Sequence, residues 1–94
     1  MPIWDDHEVE NNYAADVDSG GRGGEDWDAR RAAAYRAWYE HMPVRLAAPA
    51  ADELPMHRHA QFGELVQVLL LDGRQWRDPQ PCAGEFGPPC DEVW

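Results

Sequence analysis

The clearest pattern along the chain is an apolar stripe, Trp27, Ala34, Tyr35, Trp38 and Met42, set in a segment otherwise dominated by Ala, Arg and acidic residues. Apolar side chains that recur three, four and seven positions apart share one face of a 3.6-residue helix, and Ala and Arg are strong helix formers. The pattern predicts a helix over residues 25–41. Asp26 and Asp28 stand near the positive end of its dipole, and Pro43 closes the other end. The aromatic stripe reads as a packing face rather than a ligand site.

Two later segments read as strands. Residues 56–60 and 65–71 flank Gln61, Phe62, Gly63 and Glu64, which predicts a β-hairpin whose second, strongly apolar strand is buried on both faces. Near the start, Pro2, Ile3 and Trp4 read as the end of a buried strand. That would place the acidic residues after them on a loop at the strand's carboxyl end, where α/β proteins commonly carry their sites. Residues 16–24 hold four Gly, Ser19 and two acids, which predicts a mobile surface loop. Residues 46–55, rich in Ala and Pro, predict an irregular connection. Beyond Asp72 the periodicity is lost, and the chain shows no internal repeat or heptad.

Composition narrows the partners. The 94 residues carry a formal charge of -10, with acids concentrated before Asp28, which argues against binding to a phosphate backbone and makes a cation the natural partner. Glu10, Asp16, Asp18 and Glu25 are equally well explained as solubilising surface acids. No apolar run approaches the ~20 residues of a membrane span. An N-terminal basic and apolar signal segment is also lacking.

Candidate chemistry is concentrated at Trp4, Asp5, Asp6, His7, Glu8 and Val9, followed by Asn11, Asn12 and Tyr13. An Asp beside a His after a short apolar stretch can hold a cation and set an imidazole next to it, which suits hydrolysis of a phosphate ester. The run WDDHEVENNYA resembles the signature of the PhoD-like alkaline phosphatases, within the wider metallophosphoesterase superfamily. Three further blocks, RRAAAYRAWYEHMPVR, FGELVQV and LLDGRQWRDPQPC, resemble family segments in the same order. Together the four blocks span nearly the whole chain.

The resemblance implies an α/β fold, a layered metallophosphatase sandwich of several hundred residues. A chain of this length is too short for that, so residues 1–94 are expected to form a partial domain, incomplete at both ends: one loop–helix unit plus a β-hairpin. The missing remainder of the domain is then an expected partner, together with a phosphate ester substrate. Family members are typically exported, which implies a secreted or cell-envelope location.

In metallophosphoesterases a Gly-Asn-His motif gives an amide oxygen to the metal and a His to the phosphate. Asp6 takes the Asn position here, and a carboxylate suits a hard cation such as calcium or ferric iron, the cofactors the resemblance implies. By the same resemblance His7 contacts a phosphoryl oxygen or assists the leaving alkoxide without ligating metal. Asp5 and Glu8 would orient this pair from behind. Asn11 and Asn12 read first as amides that hold the loop backbone.

Arg74 could clamp phosphate, the alternative being an ion pair with Asp72 or another acid. The family usually shows Thr where this chain has Gly73, which loosens the transfer of that role. Cys82 and Cys90 bracket a Gly- and Pro-rich loop; in an exported protein they are expected to form a local disulfide, the alternative being two free thiols. His57 and His59 read as surface or packing residues. Asp-x-Cys and Gly-Asp-x-x-Tyr motifs, an Asp-x-His motif upstream of the Asp5-Asp6-His7 run, and a downstream Gly-His-x-His motif do not occur in the chain. The isolated chain is therefore expected to be inactive and weakly folded. The competing reading is a small acidic cation- or partner-binding protein derived from the enzyme, stable alone and strengthened by calcium.

Overall fold

A computed structural model describes residues 1–50 and 53–80. Cys82 and Cys90, and so the expected disulfide, lie outside the described residues. One helix, α1 (Glu25–His41), and an antiparallel pair, β1 (Arg58–Phe62) and β2 (Val66–Leu70), are the regular elements among those residues. The helix has the predicted bounds. Gly24 opens it without a side-chain cap, its carbonyl accepting from the Asp28 N–H, and Glu25, Asp26 and Asp28 place negative charge on the first turn. Close packing at the helix entrance requires glycine at position 23, where an added Cβ would lie 2.6 Å from the Asp16 carbonyl oxygen.

The buried helix face is Trp27, Arg31, Tyr35 and Trp38, with Ala34 and Met42 partly covered. It packs against the N-terminal loop. Trp4 stacks on Tyr35 with ring centroids 4.3 Å apart and meets Trp38 edge-on at 5.3 Å, and Tyr13 lies against Trp27 at 5.8 Å. Such aromatic pairs contribute about 0.5–1.5 kcal/mol each beyond the area they bury. Val9, Leu54 and Met56 complete this core: Leu54 is fully buried within a stretch whose Ala and Pro content predicts only an irregular connection, and Met56, expected to open the first strand, is fully buried ahead of β1, which starts at Arg58.

Pro2, Ile3 and Trp4 form no strand, contrary to the expectation from their apolar character. No described segment pairs with them, and Trp4 is buried by helix α1 rather than by a sheet. The acidic loop is held instead by side chains and by Arg58, which donates to the Pro2 carbonyl. Residues 16–24 are largely exposed, as predicted, and close around Asp18, whose carboxylate accepts from the Gly20 and Arg22 backbone N–H groups and from the Arg22 guanidinium.

The hairpin pairs Arg58 with Leu70, Ala60 with Val68 and Phe62 with Val66, turning at Gly63, which holds φ +60°. Its second strand is not buried on both faces. Leu70 is buried, but Leu69 and Val66 are exposed, as are Leu65 and Leu71 beside the strand. The helix does not pack on the hairpin, so nothing among the described residues covers the outer sheet face. None of the described helices is long and apolar enough to cross a membrane.

Candidate metal and phosphate site

Residues 5–13 fold back on one carboxylate. The Asp6 carbonyl accepts from the Val9 and Glu10 N–H groups at 2.9 and 2.8 Å, closing a single helix-like turn, and Asp6 Oδ2 accepts from the Asn12 N–H at 2.8 Å. Asn12 sits at φ 59°, a left-handed conformation that Asn tolerates better than most residues. Glu8 reaches back to accept from the Asp5 N–H at 3.0 Å, the return bond of a capping box.

Asp6 is 8% exposed. The Asn12 N–H, chiefly, holds its carboxyl below the ordinary value; burial opposes this, while the bond to its own backbone and the Arg74 and His7 charges add to it. The carboxylate is thus buried yet ionised. The Asn12 N–H and the Arg74 guanidinium both approach Oδ2, and no other described residue donates to Oδ1.

His7 is exposed, with Nε2 2.9 Å from Asn11 Oδ1. An amide oxygen only accepts, so Nε2 carries a hydrogen and Nδ1 is left for another partner. Asn11 therefore acts on a side chain, whereas Asn12 acts through its backbone, its carbonyl also accepting from Arg77 at 3.2 Å. Both support the loop.

Arg74 closes the site from the far end of the chain. Its Nε donates to Asp5 Oδ1 at 2.7 Å and its Nη2 lies 3.5 Å from Asp6 Oδ2. Asp72 does not pair with that guanidinium; it accepts from the Arg74 and Gln75 N–H groups at 2.9 and 3.0 Å and so shapes the turn through Gly73. The Arg74 carbonyl accepts from the Ala15 N–H at 2.9 Å. His57 and His59 are exposed and stand apart from this cluster.

A sequence profile of PhoD-like phosphatases matches residues 1–93. The chain belongs to the PhoD-like phosphatase family. It is 47% identical over 90 residues to alkaline phosphatase D of Bacillus subtilis (strain 168), covering 95% of this chain and 15% of that protein. The fold matches a solved structure of PhoD with a TM-score of 0.87 and 46% identity, over 96% of this chain and 17% of the other. The chain therefore spans about one-sixth of the length of the PhoD-like proteins it matches.

Two supporting residues of this PhoD-like segment escape the sequence reading. Gln75, 4% exposed, clasps Leu54 by accepting from its N–H at 2.9 Å and donating to its carbonyl at 2.7 Å. Arg31 lies in the helix face and donates to the Ala15 carbonyl at 2.5 Å. The signal for Arg31 was present: it falls four residues after Trp27 and four before Tyr35, in the middle of the stripe.

Proposed function

We propose that this segment supplies part of the active site of a metal-dependent alkaline phosphatase or phosphodiesterase, within a layered α/β domain larger than the 94 residues. The observation that carries the reading is Asp6: a carboxylate kept charged in a largely buried residue, with one oxygen taken by the Asn12 amide and the other receiving no hydrogen bond from any other described residue. Arg74 already lies 3.5 Å from Oδ2, which leaves Oδ1 as the oxygen a hard cation would take.

The fit to a cation is good for one donor. Asp6 Oδ1 is a hard anionic oxygen of the kind calcium or ferric iron takes. No group of three or more His, Cys, Asp or Glu among the described residues is placed to hold an ion, so the remaining ligands would come from other parts of the domain. Bound cations supply the acidified water and the positive charge that cleavage of a phosphate ester requires.

The chain's own residues then have distinct tasks. Asp6 binds the cation. His7, its ring turned by Asn11, when doubly protonated donates its Nδ1–H to a phosphoryl oxygen or gives that proton to the departing alkoxide. Asp5, Glu8, Asn11 and Asn12 fix the turn that keeps the two together. An exported location belongs to the same reading.

The test is turnover of p-nitrophenyl phosphate and its bis ester by the full-length enzyme carrying this segment, with calcium and iron supplied. Asp6→Ala should abolish activity and His7→Ala should lower kcat by about 100-fold. The isolated 94 residues should show none. Full activity in Asp6→Ala, or metal-dependent turnover by the isolated segment, would refute the proposal.

A further inference from the structure

The Arg74 guanidinium is turned inward on the acidic turn rather than outward to solvent. Nε is taken by Asp5 at 2.7 Å, Nη2 lies 3.5 Å from Asp6 Oδ2, and Nη1 is shut off from water with no hydrogen-bond partner among the described residues. A phosphate clamp needs N–H groups converging on open space. Here two nitrogens face acids and the third is sealed.

Arg74 is also fixed from behind. Its N–H is bound by Asp72, its carbonyl by Ala15, and Gln75 ties the following position to Leu54. The backbone is therefore held by groups other than the guanidinium, which is left as a fixed strut between sequence positions 69 residues apart. The strut bears on the face of Asp6 opposite its unpartnered oxygen, since both the Asn12 N–H and Arg74 approach Oδ2.

We infer that Arg74 is a positioning residue for the acidic turn, using Asp5 as its anchor to aim Asp6 Oδ1, and that it does not bind the substrate. This rests on the phosphatase reading above, in which Asp6 is a metal ligand. Groups that orient a ligand from behind are worth roughly 10–100-fold in activity or metal affinity.

The test separates the two roles in the full-length, metal-loaded enzyme. Arg74→Gln should lower kcat by about 10–100-fold with KM held within about twofold. Arg74→Lys, which keeps the charge but loses the planar fork, should recover part of the loss. Asp5→Ala removes the anchor from an exposed side chain and serves where Arg74→Gln does not fold; it should lower kcat in the same manner, and the double variant should be no worse than Arg74→Gln alone. A raised KM with unchanged kcat, full additivity of the two substitutions, or no effect from either would overturn the inference. Asp6→Ala is measured alongside: if it is inactive while Arg74→Gln is normal, only the positioning role fails, whereas an active Asp6→Ala removes the phosphatase reading and the strut's purpose with it.

Discussion

The hydroxyls of Tyr13 and Tyr35 meet 3.2 Å apart in the interior, both side chains fully buried, and so join the end of the acidic loop to the middle of helix α1. Tyr35 also carries the stacked Trp4. The loop that holds Asp6 and His7 is thus pinned to the helix at both of its ends.

A buried hydroxyl that loses its partner keeps its desolvation cost, whereas losing both partners removes the cost with the bond. Tyr13→Phe or Tyr35→Phe in the full-length enzyme should each cost about 1–2 kcal/mol in urea unfolding. The double variant should cost clearly less than the sum of the two. Additive losses would show that the pair is not coupled.

The same burial sets an alkaline limit. Burial pushes the Tyr13 phenol up to about 12, with the Tyr35 hydrogen bond acting against it, and raises Tyr35 as well. A phenol is neutral when protonated, so the folded form holds these protons more tightly than the unfolded chain, whose phenols ionise near pH 10. For Tyr13 the resulting stabilisation is complete below pH 10 and is lost as pH climbs through about 12, on the order of 1 kcal/mol per pH unit, and the raised Tyr35 acts in the same direction. The 295 nm difference between the parent and Tyr13→Phe should show tyrosinate appearing only near pH 12; ionisation at pH 10 with the fold intact would contradict it.

The helix was legible in the sequence to the residue because its signals are local: spacing, acids at one end and Pro43 at the other. The chemistry-bearing turn was legible as a motif, but its architecture was not. Nothing in WDDHEVENNYA states that Asp6 is held by the Asn12 amide or that Arg74 would cross the fold to Asp5. Those are long-range or backbone contacts with no periodic trace. The strand expected at Pro2–Trp4 failed for a related reason: a short apolar run shows that something buries it, and here a helix does so instead of a sheet. Leu54 was missed because the Pro and Ala around it mask a single buried side chain, and Met56, read as the start of a strand, is instead buried just ahead of β1.

Gln75 should prove as important to the site's support as any charged residue. Its amide satisfies both backbone groups of Leu54 and donates to Asp72 Oδ2 at 2.5 Å, which in turn shapes the turn carrying Arg74. Gln75→Ala leaves a buried N–H and a buried carbonyl unpaired and should cost about 2–4 kcal/mol. Hydrogen exchange at the Leu54 amide should accelerate more than at residues in the middle of helix α1. Unchanged protection at Leu54 would show the clasp to be dispensable.

The outer face of the hairpin predicts the behaviour of the segment away from a larger domain. Leu69, on the side of the sheet opposite Leu70, is 65% exposed and Leu71, just past β2, is 78% exposed, and among the described residues each strand of the pair has an unpaired edge. Exposed apolar side chains beside open edges invite self-association. The isolated 94 residues should sediment as growing oligomers with concentration, and Leu69→Lys with Leu71→Lys should return them toward monomer while leaving helical circular dichroism unchanged. If the rest of a phosphatase domain covers this face, the same pair of substitutions in the full-length enzyme should instead destabilise it by several kcal/mol, because two ammonium groups would be buried without partners. A monomeric parent segment together with an unaffected full-length double variant would mean that the face is simply solvated, and that the apolar run in β2 serves no interface.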